Sequence, residues 1–321
     1  MSNLSSRLVT VFGGSGFVGK HVVRALAQKG WRVRVAVRKP TYAYDLKPLG
    51  TVGQIQVVRC DVRKEADIQA ALHGASAVVN LVGILYQTPG ASFDALHRGA
   101  SKAIADAAAK LGISDFVQMS ALGADAKSSS KYASTKGKAE EVVRAAIPSA
   151  VIVRPSVVFG PQDGFFTGLA QQIKMFPLMP SIGGGKTKFQ PVYVSDVASA
   201  VAATLANPAF AGQTFELGGP ETFTFNDLVQ YVGEEIQSPR PLVWMPFGVA
   251  SLIGLAGDIG SFLIKPLLTS DQVLLLQKDN VASGKLPGFR ELGIVPTAVE
   301  SVAPTYLWRF RKNGQFAEVT N

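Results

Sequence analysis

The stretch Val9-Thr10-Val11-Phe12-Gly13-Gly14-Ser15-Gly16-Phe17-Val18-Gly19 decides the fold. A run rich in β-branched residues gives way to glycines at 13, 16 and 19, after which Val18, Val22, Ala25 and Leu26 recur on one helical face. The order is strand, tight turn, helix. Gly13 permits the turn, Gly16 lets a pyrophosphate approach the backbone, and Gly19 lets the helix pack closely on the strand. The helix then offers free N–H groups and a partial positive charge to an anion. Gly13, Ser15, Gly16, Phe17 and Gly19 are therefore candidate contacts for a dinucleotide.

Working outward, the helix stops at Gly30 and Arg32–Val37 reads as a second strand. A dinucleotide fold places the residue that meets the adenosine ribose at the end of that strand, roughly 20 residues past the glycines. Arg38 and Lys39 stand there, with no acid to grip a 2′-hydroxyl. A guanidinium at this place pairs with a 2′-phosphate, which favours NADP(H) over NAD(H). A third strand, Ile55–Cys60, ends at Asp61-Val62, where a carboxylate can accept a bond from an adenine amino group. A helix over Glu65–Leu72 leads to a fourth strand, Ala77–Leu81, followed by Val82-Gly83. Leu81, Val82 and Gly83 thus lie where such sheets bind ligands, beyond the carboxyl ends of their strands. A long helix, Phe93–Leu111, is closed by Gly112 and carries Leu96, Ala100, Ile104, Ala107 and Leu111 as a core stripe. A fifth strand, Phe116–Met119, delivers Ser120 at its tip. The alternation predicts an α/β, Rossmann-type doubly wound parallel sheet.

After a polar stretch, Tyr132-Ala-Ser-Thr-Lys136 opens a helix that runs to Ala146. Residues four apart share a helical face, so phenol and ammonium project together. A free tyrosine has a pKa near 10, and a neighbouring ammonium favours the phenolate. Such a tyrosine can exchange a proton with a carbonyl or alcohol while a nicotinamide exchanges a hydride, and the lysine can hold the nicotinamide ribose. Ser120 could hydrogen-bond the same oxygen. Tyr132, Lys136 and Ser120 are the catalytic candidates.

Composition narrows the classes. Apolar residues make up 47% of the 321 and charged residues 17%, which excludes a disordered chain. A net charge of +9 raises nucleic acid as a partner. Yet no run of five basic residues or interleaved aromatic platform occurs, so a scattered basic surface is expected, with anionic lipid or phosphorylated cofactors as the other outlets. The single cysteine, Cys60, can form no internal disulfide. No metal-ligand pattern is present. Only Met1 to Ser6 precede the first strand, no apolar run is long enough to span a bilayer, and the expected location is the cytoplasm or the cytoplasmic face of a bacterial inner membrane.

With these residues in view, the chain resembles the short-chain dehydrogenase/reductase superfamily in its extended or atypical branch. The resemblance is carried by Gly13-x-x-Gly16-x-x-Gly19, Tyr132-x-x-x-Lys136, Arg154-Pro155-Ser-Val-Val-Phe-Gly-Pro161, Pro191-Val-Tyr-Val-Ser-Asp-Val-Ala198 and Phe215-Glu-Leu-Gly-Gly-Pro-Glu-Thr-Phe-Thr224. It implies that the segment holding Pro155, Val157 and Val158 packs on the nicotinamide. Within the branch, the run Ser128-Ser-Ser-Lys-Tyr132, the segment Ile152–Gly160, the stretch Gln190–Val197 and the carboxyl-terminal third are most similar to the NADPH-binding accessory subunits of respiratory complex I and their bacterial relatives. That likeness implies a tightly held NADPH, complex I peripheral-arm partners and a membrane-facing position, without known turnover. The alternative is an independent NADPH-dependent reductase, dehydrogenase or isomerase of a hydrophobic substrate, working through Tyr132 and Lys136. Ala121-Leu122-Gly123 stands where many active members carry further hydroxyls, and Phe12 replaces a usual threonine.

Two domains are expected: residues 1–164 binding the dinucleotide, with core strands reaching about 220, and a smaller apolar lobe over 165–321. Gly183-Gly-Gly-Lys186 lacks phosphate-loop spacing and reads as a flexible connector. Val243 to Leu276 is rich in apolar residues, among them Trp244, Leu252, Ile253, Leu255, Phe262, Leu263 and Ile264. Two outcomes stay open for it, burial within the lobe or an exposed patch that docks on a membrane or partner. Lys265, Arg309, Arg311 and Lys312 would assist at an anionic surface.

Overall fold

The structure, a computed structural model, describes residues 7–88, 90–260, 266 and 268–316. The first compact unit comprises Met1–Pro155, Val194–Leu217 and Gly284–Val295, and the second comprises Ser156–Tyr193, Gly218–Ser283 and Pro296–Asn321.

In the first unit, strands and helices alternate as the sequence predicts: β1 Leu8–Phe12, α1 Phe17–Gln28, β2 Arg32–Val37, β3 Ile55–Arg59, α2 Glu65–Leu72, β4 Ala77–Asn80, α3 Ala100–Lys110, β5 Asp115–Met119, α4 Lys131–Ala146 and β6 Val151–Pro155. The strand Thr214–Leu217 completes a seven-stranded sheet in which it lies beside β6, followed by β5, β4, β1, β2 and β3. Every neighbouring pair is parallel. All five residues of β1 are buried, as are all four of β4, because helices cover both faces of the sheet. The strand order turns back between β1 and β4, and in open sheets that reversal opens a crevice beyond the carboxyl ends.

Two expectations need correction here. The helix proposed over Phe93–Leu111 begins with a π-wound turn, Asp94–Gly99, before α3, and Leu111 is 51% exposed and not part of the core stripe. The remaining stripe residues do pack with Phe116, Ile68 and Leu72.

The second unit is built from three two-stranded pairings and short helices. Val158–Phe159 pairs with Val192–Tyr193, Lys188–Phe189 with Phe223–Thr224, and Met179–Ile182 with Leu242–Met245. Its core gathers Phe159, Phe166, Leu169, Ile173, Leu228, Val232 and Leu307. Gly183 to Gly185 is a packed turn, which corrects the reading as a flexible connector: all three have φ between +60° and +82°, and a Cβ on Gly183 would sit 2.2 Å from the Phe247 ring. The apolar stretch divides between its two outcomes. Ala250 and Val273 are buried against Ile182, whereas Trp244 is 68% exposed and Val249, Leu252, Ile253 and Leu255 of the helix Phe247–Gly260 are exposed. Phe262, Leu263, Ile264 and Lys265 lie outside the described residues.

The approach of α1 to β1 sets a testable limit. A Cβ on Gly19 would stand 2.3 Å from the Gly13 carbonyl and 2.6 Å from the Gly14 backbone. Gly19→Ala should therefore cost about 1–3 kcal/mol of overpacking, read as a lower urea midpoint. Gly168→Ala, at a helical position with open space, should leave that midpoint unchanged or raised.

Candidate active site

The first part of the site is the turn between β1 and α1. Gly13 takes φ +79°, a region that favours glycine, and the Gly16 N–H donates to the Gly13 carbonyl at 3.1 Å. No side chain caps α1 and its first turn holds no acid, so the N–H groups and the positive end of the helix are available to an anion. A Cβ on Gly13 would lie 3.1 Å from the Leu81 carbonyl and 3.2 Å from the Val82 nitrogen, which puts the turn against the segment after β4. That segment is anchored from beneath. The Val82 N–H donates to Asn80 Oδ1, and the buried Asn80 amide donates to Ser101 and Gln118.

At the ends of β2 and β3 lies a cleft of about 910 Å³. Ser15, Arg38, Lys39 and Asp61, all singled out from sequence, line it together with Tyr42, Arg59, Arg63 and Lys64, which were not. The cleft thus gathers five cations and two carboxylates, Asp61 and Asp67. Arg63 donates to both carboxylate oxygens of Asp61, at 2.9 and 2.7 Å, and this pairing holds the Asp61 carboxyl down to about 2. The side chain of Val62 packs into the core with Ile68.

The third part sits on α4, whose N-cap Ser130 accepts from the Ala133 N–H. Tyr132 and Lys136 follow at helical spacing, with the ammonium 6.0 Å from the centre of the phenol ring. Lys136 is buried, donates to the Met119 carbonyl at 3.3 Å, and would lie 3.2 Å from a Cβ on Gly83. Burial strips water from the ammonium and lowers its pKa to about 8, an effect that the nearby Glu140 carboxylate opposes. Gly13, Leu81, Val82, Gly83, Lys136 and Tyr132 therefore form one continuous lining. It has the residues a dinucleotide needs: a glycine turn for the pyrophosphate, a cationic cleft at one end, and a phenol and ammonium at the other.

Ser120 is placed at the tip of β5, but its hydroxyl donates to the Glu140 carboxylate and the residue is buried. Arg154 donates to both oxygens of the same carboxylate, at 2.9 and 2.6 Å. A serine has one proton to donate, so in this arrangement none is left for a substrate oxygen. Glu140 was missed in sequence, although it extends the spacing of Tyr132 and Lys136 by another four residues. His97 was missed too. It is buried beside Tyr132, with ring centres 5.4 Å apart, and neither its spacing nor its neighbours in sequence mark it. Pro155 ends β6 in the first unit, while Val157 and Val158 open the second, where the Val157 N–H donates to Asn280.

Comparison with known proteins places the chain in a family. The NAD dependent epimerase/dehydratase family matches residues 9–218. The NADH dehydrogenase (ubiquinone) 1 alpha subcomplex subunit 9, mitochondrial, of Arabidopsis thaliana is 35% identical, over 98% of this chain and 80% of the relative. The NADH-ubiquinone oxidoreductase 40 kDa subunit, mitochondrial, of Neurospora crassa is 31% identical over 98% and 82%. A ceramide reductase of Caulobacter vibrioides is 33% identical over 74% of each chain. Among solved structures, the dTDP-glucose 4,6-dehydratase DesIV of Streptomyces venezuelae, which holds NAD, superposes with a TM-score of 0.71 at 19% identity, covering 94% of this chain and 96% of that one.

The buried ammonium makes a pH prediction. Its folded pKa of about 8 lies below the usual 10.5, so between those values this group binds more protons in the unfolded chain and its own contribution to stability rises with pH. The buried Cys60 thiol, pushed up to about 12, works in the opposite direction above its ordinary value. Lys136→Met should lack the ammonium's contribution, so the stability of the wild type relative to the variant, from urea unfolding, should increase between about pH 8 and about pH 10.

Proposed function

The chain belongs to the NAD dependent epimerase/dehydratase family, and from that premise we propose that it holds NADP(H) as an accessory subunit of a membrane-bound NADH:quinone oxidoreductase, complex I. The observation that carries this reading is near full-length similarity to subunits of that enzyme from a plant and a fungus. The site supports it. With the Ser120 proton engaged by Glu140, the lining retains groups that bind a nucleotide and lacks one donor that a reductase would use. The exposed apolar face of the helix Phe247–Gly260 supports a position against a membrane or a partner subunit; the location that goes with this reading is the cytoplasmic side of a bacterial inner membrane.

Preference for NADP(H) rests on the cleft. Arg38, Lys39 and Arg59 supply positive charge where a 2′-phosphate would lie, and Asp61, one of the two carboxylates in the lining, already serves Arg63. The surplus charge of the chain fits this. By sequence, the second unit holds nine Lys and Arg against ten Asp and Glu, so the nucleotide-binding unit holds 23 against 13 and carries a net +10.

A second reading, an NADPH-dependent reductase of a hydrophobic carbonyl, is favoured by the Caulobacter ceramide reductase and by the intact Tyr132 and Lys136 pair. In that case Tyr132 gives or takes the proton and Lys136 supports it.

Tagged protein purified from its native membranes should bring complex I subunits with it, identified by mass spectrometry. Their absence, together with NADPH oxidation by a carbonyl panel that Tyr132→Phe abolishes, would replace the first reading with the second. In a separate titration, Arg38→Glu should weaken NADPH far more than NADH, since one charge-assisted pair is worth about 1.5–3 kcal/mol. Equal losses for both would remove Arg38 from the 2′-phosphate.

A further inference from the structure

His97 lies on the π-wound turn Asp94–Gly99, and both of its ring nitrogens are engaged. Nε2 faces both the Ile84 backbone N–H, at 3.1 Å, and the Ile84 carbonyl, at 3.2 Å. Because the Thr135 hydroxyl is directed at the Lys131 carbonyl, we assign the ring proton to Nδ1, which donates to Thr135 Oγ1 at 2.9 Å while Nε2 accepts from the Ile84 N–H. The Thr135 hydroxyl donates to the Lys131 carbonyl at 2.8 Å, with the Tyr132 carbonyl at 3.1 Å. The imidazole stacks on Phe93 at 5.2 Å and meets the Tyr132 ring edge-on. A Cβ on Gly83 would lie 3.6 Å from Nε2 and 3.2 Å from the Lys136 ammonium. One side chain thus joins the segment after β4, the π-wound turn and α4.

We propose that His97 is a positioning residue, which fixes the segment Leu81–Ile84 against Tyr132 and Lys136 so that the wall for the nicotinamide half of a nucleotide is set before the nucleotide arrives. The proposal rests on the nucleotide-binding reading above. A wall already in place spares the bound state the ordering of a loop, and affinity rises accordingly. Burial and the neighbouring Lys136 ammonium push the imidazole down to about 3, so the neutral ring keeps accepting from Ile84 throughout the physiological range.

A pair of ligands separates this role from a merely structural one. NADPH reaches the nicotinamide end, whereas adenosine 2′,5′-bisphosphate occupies only the end lined by Arg38. In calorimetric titrations, His97→Ala should weaken NADPH about tenfold, the scale of one lost hydrogen bond, and leave the bisphosphate unchanged. His97→Gln can accept from Ile84 and donate to Thr135, and should recover NADPH affinity to within about threefold. Should His97→Ala fail to fold, Thr135→Val removes the Nδ1 partner alone and should still selectively weaken NADPH. Equal loss of both ligands, or unchanged NADPH affinity, would overturn the proposal. A wild-type protein that binds neither ligand would instead bring down the nucleotide reading on which it rests.

Discussion

The contact on which the first unit depends is backbone against backbone, where α1 leaves the turn after β1. There is no room for a methyl group between Gly19 and the carbonyl of Gly13, and a side chain on Gly13 would press on Leu81 and Val82. A helix held this close keeps its uncapped N-terminus at the carboxyl end of the sheet. The same contact brings the turn against the segment after β4, so that two stretches nearly 70 residues apart in sequence form one lining. Local conformational freedom at a few glycines is thereby converted into a ligand surface that no single element provides.

The second constraint is electrostatic. Lys136 and Glu140 are both buried on α4, and charges are removed from water only when compensated. Glu140 is compensated fully, by Arg154 and by the Ser120 hydroxyl. Lys136 has the Met119 carbonyl and the Glu140 field, and its lowered pKa records the remaining deficit. An anionic or oxygen-rich ligand placed over Gly83 would reduce that deficit, which gives the buried ammonium a reason to favour the bound state. The same network draws Ser120 inward. Burial of the carboxylate and loss of the serine as an outward donor are one event, linking packing at this site to its chemistry.

Much of the first unit was legible in the sequence because its signals are local. Alternating apolar runs gave β2 and α2 their ends, and β3, β4 and β5 differ from the expected bounds by a single residue. The π-wound turn was not legible, since its sequence, Asp94-Ala-Leu-His-Arg-Gly99, is compatible with an ordinary helix and only tertiary contacts of His97 distinguish it. Leu111 was assigned to the core by its spacing, but α3 ends just before it and the side chain emerges. In the site, the glycines, Arg38, Asp61, Tyr132 and Lys136 announced themselves by motif position. Glu140 and His97 did not. Their importance comes from partners 20 and 13 residues distant, Ser120 and Ile84, and distance in sequence hides such pairs.

The second unit shows a different division of labour. Its glycines at 183 to 185 are held in left-handed conformations by Phe247 and Asn226, so what composition suggested was a loose hinge is a fixed corner. That corner receives the start of the helix Phe247–Gly260, in which Ala250 and Gly254 are buried while Leu252, Ile253 and Leu255 face outward. Exposed apolar side chains on a rigidly seated helix cost solubility without adding to the core of their own unit. The near balance of acidic and basic residues in this unit means that charge alone would not bring it to an anionic surface. What the described residues of that helix offer to a partner is therefore apolar contact, the kind of contact an assembled subunit uses and a freely diffusing reductase does not need.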